Sequence, residues 1–136
     1  MSDQPMHADL DWKGDLRFTG VAGGQETRVD GKHQAGSSPM ELLLEAMAGC
    51  MAIDLVHILE RMRTKVTALH AHVEGARAES HPRRFTALRL HFEIAGENLA
   101  PADVERAIKL SRETYCSVFA SLRPDIDLQT TFHLTV

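Results

Sequence analysis

Apolar and polar residues alternate from His7 to Trp12 and again from Asp15 to Thr19, on either side of Lys13-Gly14. A period of two predicts half-buried strands, and the glycine between them predicts a hairpin turn. Gln25 to Val29, after Gly23-Gly24, reads as a third short strand. The chain is therefore expected to open with a small antiparallel sheet.

A polar loop from Gly31 to Ser38 follows, and the pattern then changes. Ser38 is suited to cap a helix, Pro39 to occupy its first position, and Glu41 to sit in the first turn, where the helix dipole favours negative charge. The predicted helix runs to about Arg63 and is apolar on nearly every side from Leu42 to Leu59. A single buried stripe does not account for that pattern, so burial on several sides is expected. A helix of about 25 residues is about 37 Å long, and a chain of 136 residues has little else with which to surround it. Burial by a second subunit, in a homodimer, is the expected solution. Gly49, inside this helix, costs about 1 kcal/mol against alanine and suggests close approach by another backbone.

Val66 to Glu74 and Phe85 to Ile94 alternate again around a polar, proline-containing stretch, which predicts a second antiparallel pair. A second helix is marked by Val104, Ala107, Ile108, Ser111, Tyr115, Val118 and Leu122, and should end before Pro124. Leu128 to Val136 closes the chain as a strand. The order of elements predicts an α+β protein, with residues 1–136 forming a single domain.

A formal charge of −4 and a pI near 6.0 leave no electrostatic footprint for nucleic acid. The apolar stretch from Met40 to Leu59 is interrupted by Glu41, Glu45, Asp54 and His57, which argues against a membrane span. Met1 to Leu10 does not read as a secretory leader, so a cytoplasmic protein is expected. There is no Gly-rich phosphate loop, and the eight histidines are scattered; neither a cofactor nor a metal site is expected.

The candidate chemistry lies in two cysteines, Cys50 and Cys116. In a reducing compartment such a pair is either inert core or redox-active. Ala46, Ala48, Gly49 and Ala52 surround Cys50 with minimal side chains. That pattern fits either a narrow apolar slot open to a small electrophile or a buried thiol filling a helix contact. Helical spacing aligns Cys50 with Asp54, His57 and Arg61, a polar line able to activate a thiolate, or to serve neighbouring backbone or an interface. Cys50 and His57 are about 10 Å apart along the helix, too far for direct proton transfer. Around Cys116, the residues expected to be buried are Tyr115, Val118 and Phe119. A disulfide would need the two Cα atoms within about 4.4 to 6.8 Å, and hence two helices packed at their small-residue faces.

The segment from Ser38-Pro39-Met40-Glu41 through Gly49-Cys50-Met51-Ala52-Ile53-Asp54, followed by Tyr115-Cys116-Ser117-Val118, resembles the OsmC/Ohr family of thiol peroxidases, and within it an OsmC-like subgroup. The resemblance implies an OsmC-like fold, with antiparallel sheets around two central helices in an intertwined homodimer whose sites lie at the subunit interface. It also implies that Cys50 is the peroxidatic cysteine and Cys116 the resolving one, with an external dithiol as reductant. Thr27-Arg28-Val29-Asp30-Gly31 resembles the family segment that carries a thiolate-stabilising arginine, which makes Arg28 its candidate. The glutamate that orients this arginine often directly follows the proline, where this chain has Met40; Glu41 comes one residue later. A pocket of Leu43, Met47 and Met51 would favour an organic hydroperoxide over hydrogen peroxide. Two alternatives are a non-catalytic dimer that binds a small ligand or senses redox state, and a hot-dog thioesterase using Asp54 or His57. The long helix between the last strands argues against the latter.

Overall fold

The computed structural model describes residues 4–135, which separate into two compact units, one ending at Leu43 and the other beginning at Leu44. In the first, β1 (Asp9–Trp12), β2 (Arg17–Ala22) and β3 (Gln25–Asp30) form an antiparallel sheet in that order. Gly23 and Gly24 both have positive φ and join Ala22 to Gln25 as a two-residue turn, a geometry that suits the twist of a hairpin. The second strand starts later than its alternation suggested, because Gly14 and Asp15 take left-handed conformations and Arg17 N–H closes the turn on Gly14 O at 3.0 Å. Trp12, Phe18 and Val29 form one cross-strand row. Trp12 is 65% exposed.

The loop after β3 is built on Asp30, a buried side chain. Its carboxylate accepts backbone N–H groups from Ala35 and Lys32, each at 2.9 Å, and from Gln34 at 3.3 Å. The Ala35 and Lys32 bonds, in that order, hold the Asp30 carboxyl below its usual range. Gly36 is required here, since a Cβ would lie 2.6 Å from the Arg28 carbonyl oxygen.

The helix α1 (Pro39–Arg61) begins as the sequence implies. Ser38 Oγ accepts Glu41 N–H at 3.2 Å while Glu41 Oε1 accepts Ser38 N–H at 2.9 Å, a reciprocal capping box. Its far end is a Schellman turn: Thr64 N–H reaches Leu59 O at 3.1 Å, Arg63 N–H reaches Glu60 O at 3.0 Å, and Arg63 has φ +63°. The helix stops two residues before the expected limit because that left-handed residue turns the chain. Met47, Met51, Leu55 and Leu59, spaced by four, are fully buried, with Ala48 beside them. Ile53 is 70% exposed, so within one chain only a stripe of this apolar helix is covered.

The rest of the second unit is a three-stranded sheet of β4 (Lys65–Arg77), β5 (Phe85–Glu97) and β6 (Asp127–Thr135), with β5 in the middle. Val136 lies outside the described residues. β4 and β5 are antiparallel, but β6 runs parallel to β5, which corrects the expectation of purely antiparallel sheets. The physical reason is the long helical crossover between them; parallel neighbours need such a connection, whereas antiparallel ones can be joined by a short turn. Leu88, Leu90, Phe92, Ile94 and Leu128 form the buried face. A register shift between Val66 and Ala68 keeps both Val66 and Leu69 half-buried despite their odd spacing. On the other face, His91 and His133 hydrogen-bond the two oxygens of Glu93, at 3.0 and 2.9 Å. The bond from His91, then that from His133, lowers the Glu93 pKa.

The second helix is not continuous, a further correction. It consists of α2 (Pro101–Leu110), a π turn (Ser111–Tyr115) and, after Cys116, a single turn α3 (Ser117–Ala120). Cys116 has extended backbone (φ −72°, ψ 97°) and its N–H bonds Ser111 O at 2.8 Å, five residues back.

Candidate functional site

The crossover's broken helix is what assembles the site. Because the π turn inserts an extra residue before Cys116, Ser111 and Cys116 both turn inward: Ser111 is fully buried and Cys116 is 3% exposed. Cys116 then caps α3, its Sγ accepting Phe119 N–H at 3.4 Å. Tyr115, expected to be buried, is 57% exposed, since the break rotates it to the surface. Val118 and Phe119 are half-buried.

Cys50 and Asp54, one turn apart on α1, meet this segment. The Cys50 thiol, the Cys116 thiol and an Asp54 carboxylate oxygen all lie within 4.8 Å of one another, and both cysteines are free. Ser111 Oγ donates to Asp54 Oδ2 at 2.8 Å, fixing the carboxylate. Ser111 was legible only as part of a helical spacing; the signal for its role was a hydroxyl on the apolar side of that helix. Burial, reduced somewhat by the Phe119 N–H and reinforced by Cys50 and Asp54, pushes the Cys116 pKa up to about 11. Cys116 therefore stays a thiol at neutral pH, whereas Cys50 is half-buried and is the more accessible sulfur.

This shift has a consequence for stability. An unfolded chain would release the Cys116 proton near the ordinary value of 9.0, but the folded chain only near 11. The associated stability is present below the first value and is lost as pH rises through the second. Urea midpoints should therefore fall more steeply over this alkaline range for the native chain than for Cys116→Ala. Parallel curves would show that the thiol is not held protonated by folding.

Beside the site is a cavity of about 420 Å³ lined by Asp54, His57, Ile58, Arg61, Met62, Leu110 and Tyr115. The polar line read along α1 thus runs from the thiols into this cavity, with Asp54 common to both. Met47 and Met51, expected in a substrate pocket, are fully buried in the core instead. Leu43 is half-buried in the first unit. Arg28, exposed on β3 opposite Thr19, and Glu41, held by Ser38, also belong to the first unit. The Ser38 bonds, with His33 contributing least, lower the Glu41 pKa. Met40 is half-buried in the same turn of helix. Arg112, the arginine nearest Cys116 in sequence, donates to Leu128 O at 2.7 Å and lies 5.9 Å from the centre of the Phe119 ring. At Gly49 a Cβ would meet nothing within 4 Å, so among the described residues no other element of this chain packs against it.

The family profile described as OsmC-like protein matches residues 30–131. The chain is 37% identical over 131 residues to the protein YhfA of Escherichia coli K12, covering 95% of this chain and 98% of that one. It is similar in fold to a hypothetical protein from Aquifex aeolicus VF5, with TM-score 0.89, 27% identity and 97% of each chain covered. An organic hydroperoxide resistance protein OsmC from Legionella pneumophila shares the fold at TM-score 0.71 and 14% identity, over 97% of this chain and 98% of that one. These likenesses displace the thioesterase alternative, and with two cysteines brought together by α1 and the broken crossover helix, the chain belongs to the OsmC-like protein family.

Proposed function

We propose that the protein is a cytoplasmic thiol-dependent peroxidase that reduces organic hydroperoxides. The observation that carries this reading is the approach of an accessible Cys50 and a buried Cys116 within 4.8 Å, both reduced. In the proposed cycle the Cys50 thiolate attacks one peroxide oxygen, the O–O bond breaks, and the alcohol leaves after taking a proton. Cys50 is then a sulfenic acid. The Cys116 sulfur attacks the Cys50 sulfur, its proton passes through Asp54 to the departing hydroxide, and water leaves as the S–S bond forms. An external dithiol restores both thiols by exchange.

Homodimerisation belongs to the same proposal. It is supported by the exposed Ile53 on α1, by the open space at Gly49, and by the exposed Leu10 and Trp12 of the first sheet, large apolar side chains left uncovered in one chain. Arg28 is the cation we assign to the thiolate across such a dimer, in keeping with the family resemblance of its segment. Leu43 would complete the apolar entry there.

The test is to add cumene hydroperoxide to the reduced protein and follow free thiols and mass within seconds. Rapid loss of two thiols per chain to an intramolecular Cys50–Cys116 disulfide is expected, and two intact thiols in excess peroxide would overturn the reading. A slow redox sensor is the second reading, favoured by the burial of the resolving Cys116 and the Asp54 carboxylate beside it, which keep its thiol protonated. It predicts the same disulfide without repeated turnover when a dithiol is supplied.

A further inference from the structure

We infer that the reduced protein binds one thiophilic divalent cation of the Zn²⁺ type through Cys50 Sγ, Cys116 Sγ and Asp54, with Ser111 as the outer partner of the carboxylate. The inference does not depend on peroxidase activity. Among the described residues, these three are the group whose donor atoms converge within 4.8 Å. In a tetrahedral zinc site with Zn–S bonds of about 2.3 Å, neighbouring sulfurs are about 3.8 Å apart. The sulfurs therefore need to close by no more than about 1 Å, and the carboxylate by slightly more, a side-chain adjustment for two cysteines and an aspartate.

The donor set decides which ion fits. Two thiolates and one carboxylate are too few oxygens, and too soft, for Mg²⁺ or Ca²⁺, but suit Zn²⁺ or Cd²⁺. Ser111 Oγ, fully buried and 2.8 Å from Asp54 Oδ2, provides the outer hydrogen bond that orients ligating carboxylates in metal sites. Three protein ligands leave a fourth position for water. Asp54 also lines the 420 Å³ cavity, which supplies a route for the ion to enter. The scattered histidines are not part of this site; the π turn brings Cys116 to the Cys50–Asp54 pair that α1 already holds one turn apart.

Metal and disulfide are mutually exclusive here, because a two-electron oxidant such as diamide, in joining the sulfurs, removes the two thiolate charges that would bind the cation. A bound cation would hold the dithiol state, and oxidation of the pair would release it. The structure thus assigns to this centre a redox-gated metal capacity.

The test is an anaerobic titration of the reduced full chain with Cd²⁺, read by the ultraviolet thiolate-to-cadmium band, followed by Zn²⁺ displacement against a chromogenic chelator. One ion per chain is expected. Cys50→Ser and Cys116→Ser should each abolish the band, and Ser111→Ala should weaken binding about 10-fold or more. Protein oxidised with diamide should bind none. The control variant His70→Asn/His72→Asn, on the exposed face of β4, should bind as the native chain does. Binding that survives Cys116→Ser, one ion per two chains, loss in the histidine control, or no binding by protein with both thiols titratable would each overturn the inference. Hydroperoxide consumption measured on the same samples separates its failure from that of the peroxidase reading.

Discussion

Replacing Cys50 by serine is expected to abolish hydroperoxide consumption, while Cys116→Ser should leave a single turnover intact. The difference follows from the unequal settings of the two sulfurs. Cys50 is half-buried on α1 and is the sulfur a peroxide can reach; Cys116 is 3% exposed, protonated, and pinned as the cap of α3. A serine hydroxyl at position 50 is not ionised near neutral pH and cannot accept oxygen as sulfur does. Loss of the nucleophile should therefore remove the reaction itself, not weaken it. With Cys116→Ser the first oxidation proceeds but no partner thiol collects the sulfenic acid. Mass spectrometry after one equivalent of peroxide should find a chain heavier by one oxygen, and a sulfenic acid trap such as dimedone should label Cys50. Equal activity of the two serine variants would reverse or remove these roles.

Phe92→Ala should destabilise the protein by about 3 to 5 kcal/mol, the largest effect expected of a single substitution in the core. Phe92 is fully buried in the middle strand of the second sheet, where it pairs with Ala71 on β4 and Phe132 on β6. Neither pairing residue can fill the space that the ring leaves, because both are fixed by strand register and the surrounding core is already close-packed. Against a total stability of about 5 to 15 kcal/mol for an ordinary domain, the loss is about a fifth of the whole or more. Equilibrium urea unfolding, repeated at several protein concentrations, would measure it; any dimer contribution appears as a concentration-dependent midpoint. A loss below about 1 kcal/mol would mean that the site collapses around the gap and that β5 is less rigid than its central position implies.

How much of this was written in the sequence depends on how local the determinant is. The start of α1 was readable because Ser38, Pro39 and Glu41 act on one another within a single turn. The β5 alternation was readable for the same reason. The break at Cys116 was not, since Ser111-Arg112-Glu113-Thr114-Tyr115 has nothing that forbids an ordinary helix, and the π turn is favoured by tertiary contacts of Ser111 and Cys116. The pairing of Asp54 with Ser111 depended on that turn and was invisible with it. The parallel run of β6 could have been drawn from the length of the crossover, had chain direction been weighed alongside alternation.

The loop between β3 and α1 is exposed from Gly31 to Ala35 and contains Lys32, which on sequence alone is an inviting site for trypsin. A protease must draw several residues into an extended strand with their amides available to its cleft. Here the amide of Lys32 itself, with those of Gln34 and Ala35, is already committed to the Asp30 carboxylate, and Asp30 N–H is tied to Ser37 O at 3.0 Å. Exposure and cleavability therefore part company in this loop: nicking at Lys32 reports how often Asp30 lets go, not how much of the lysine is in water.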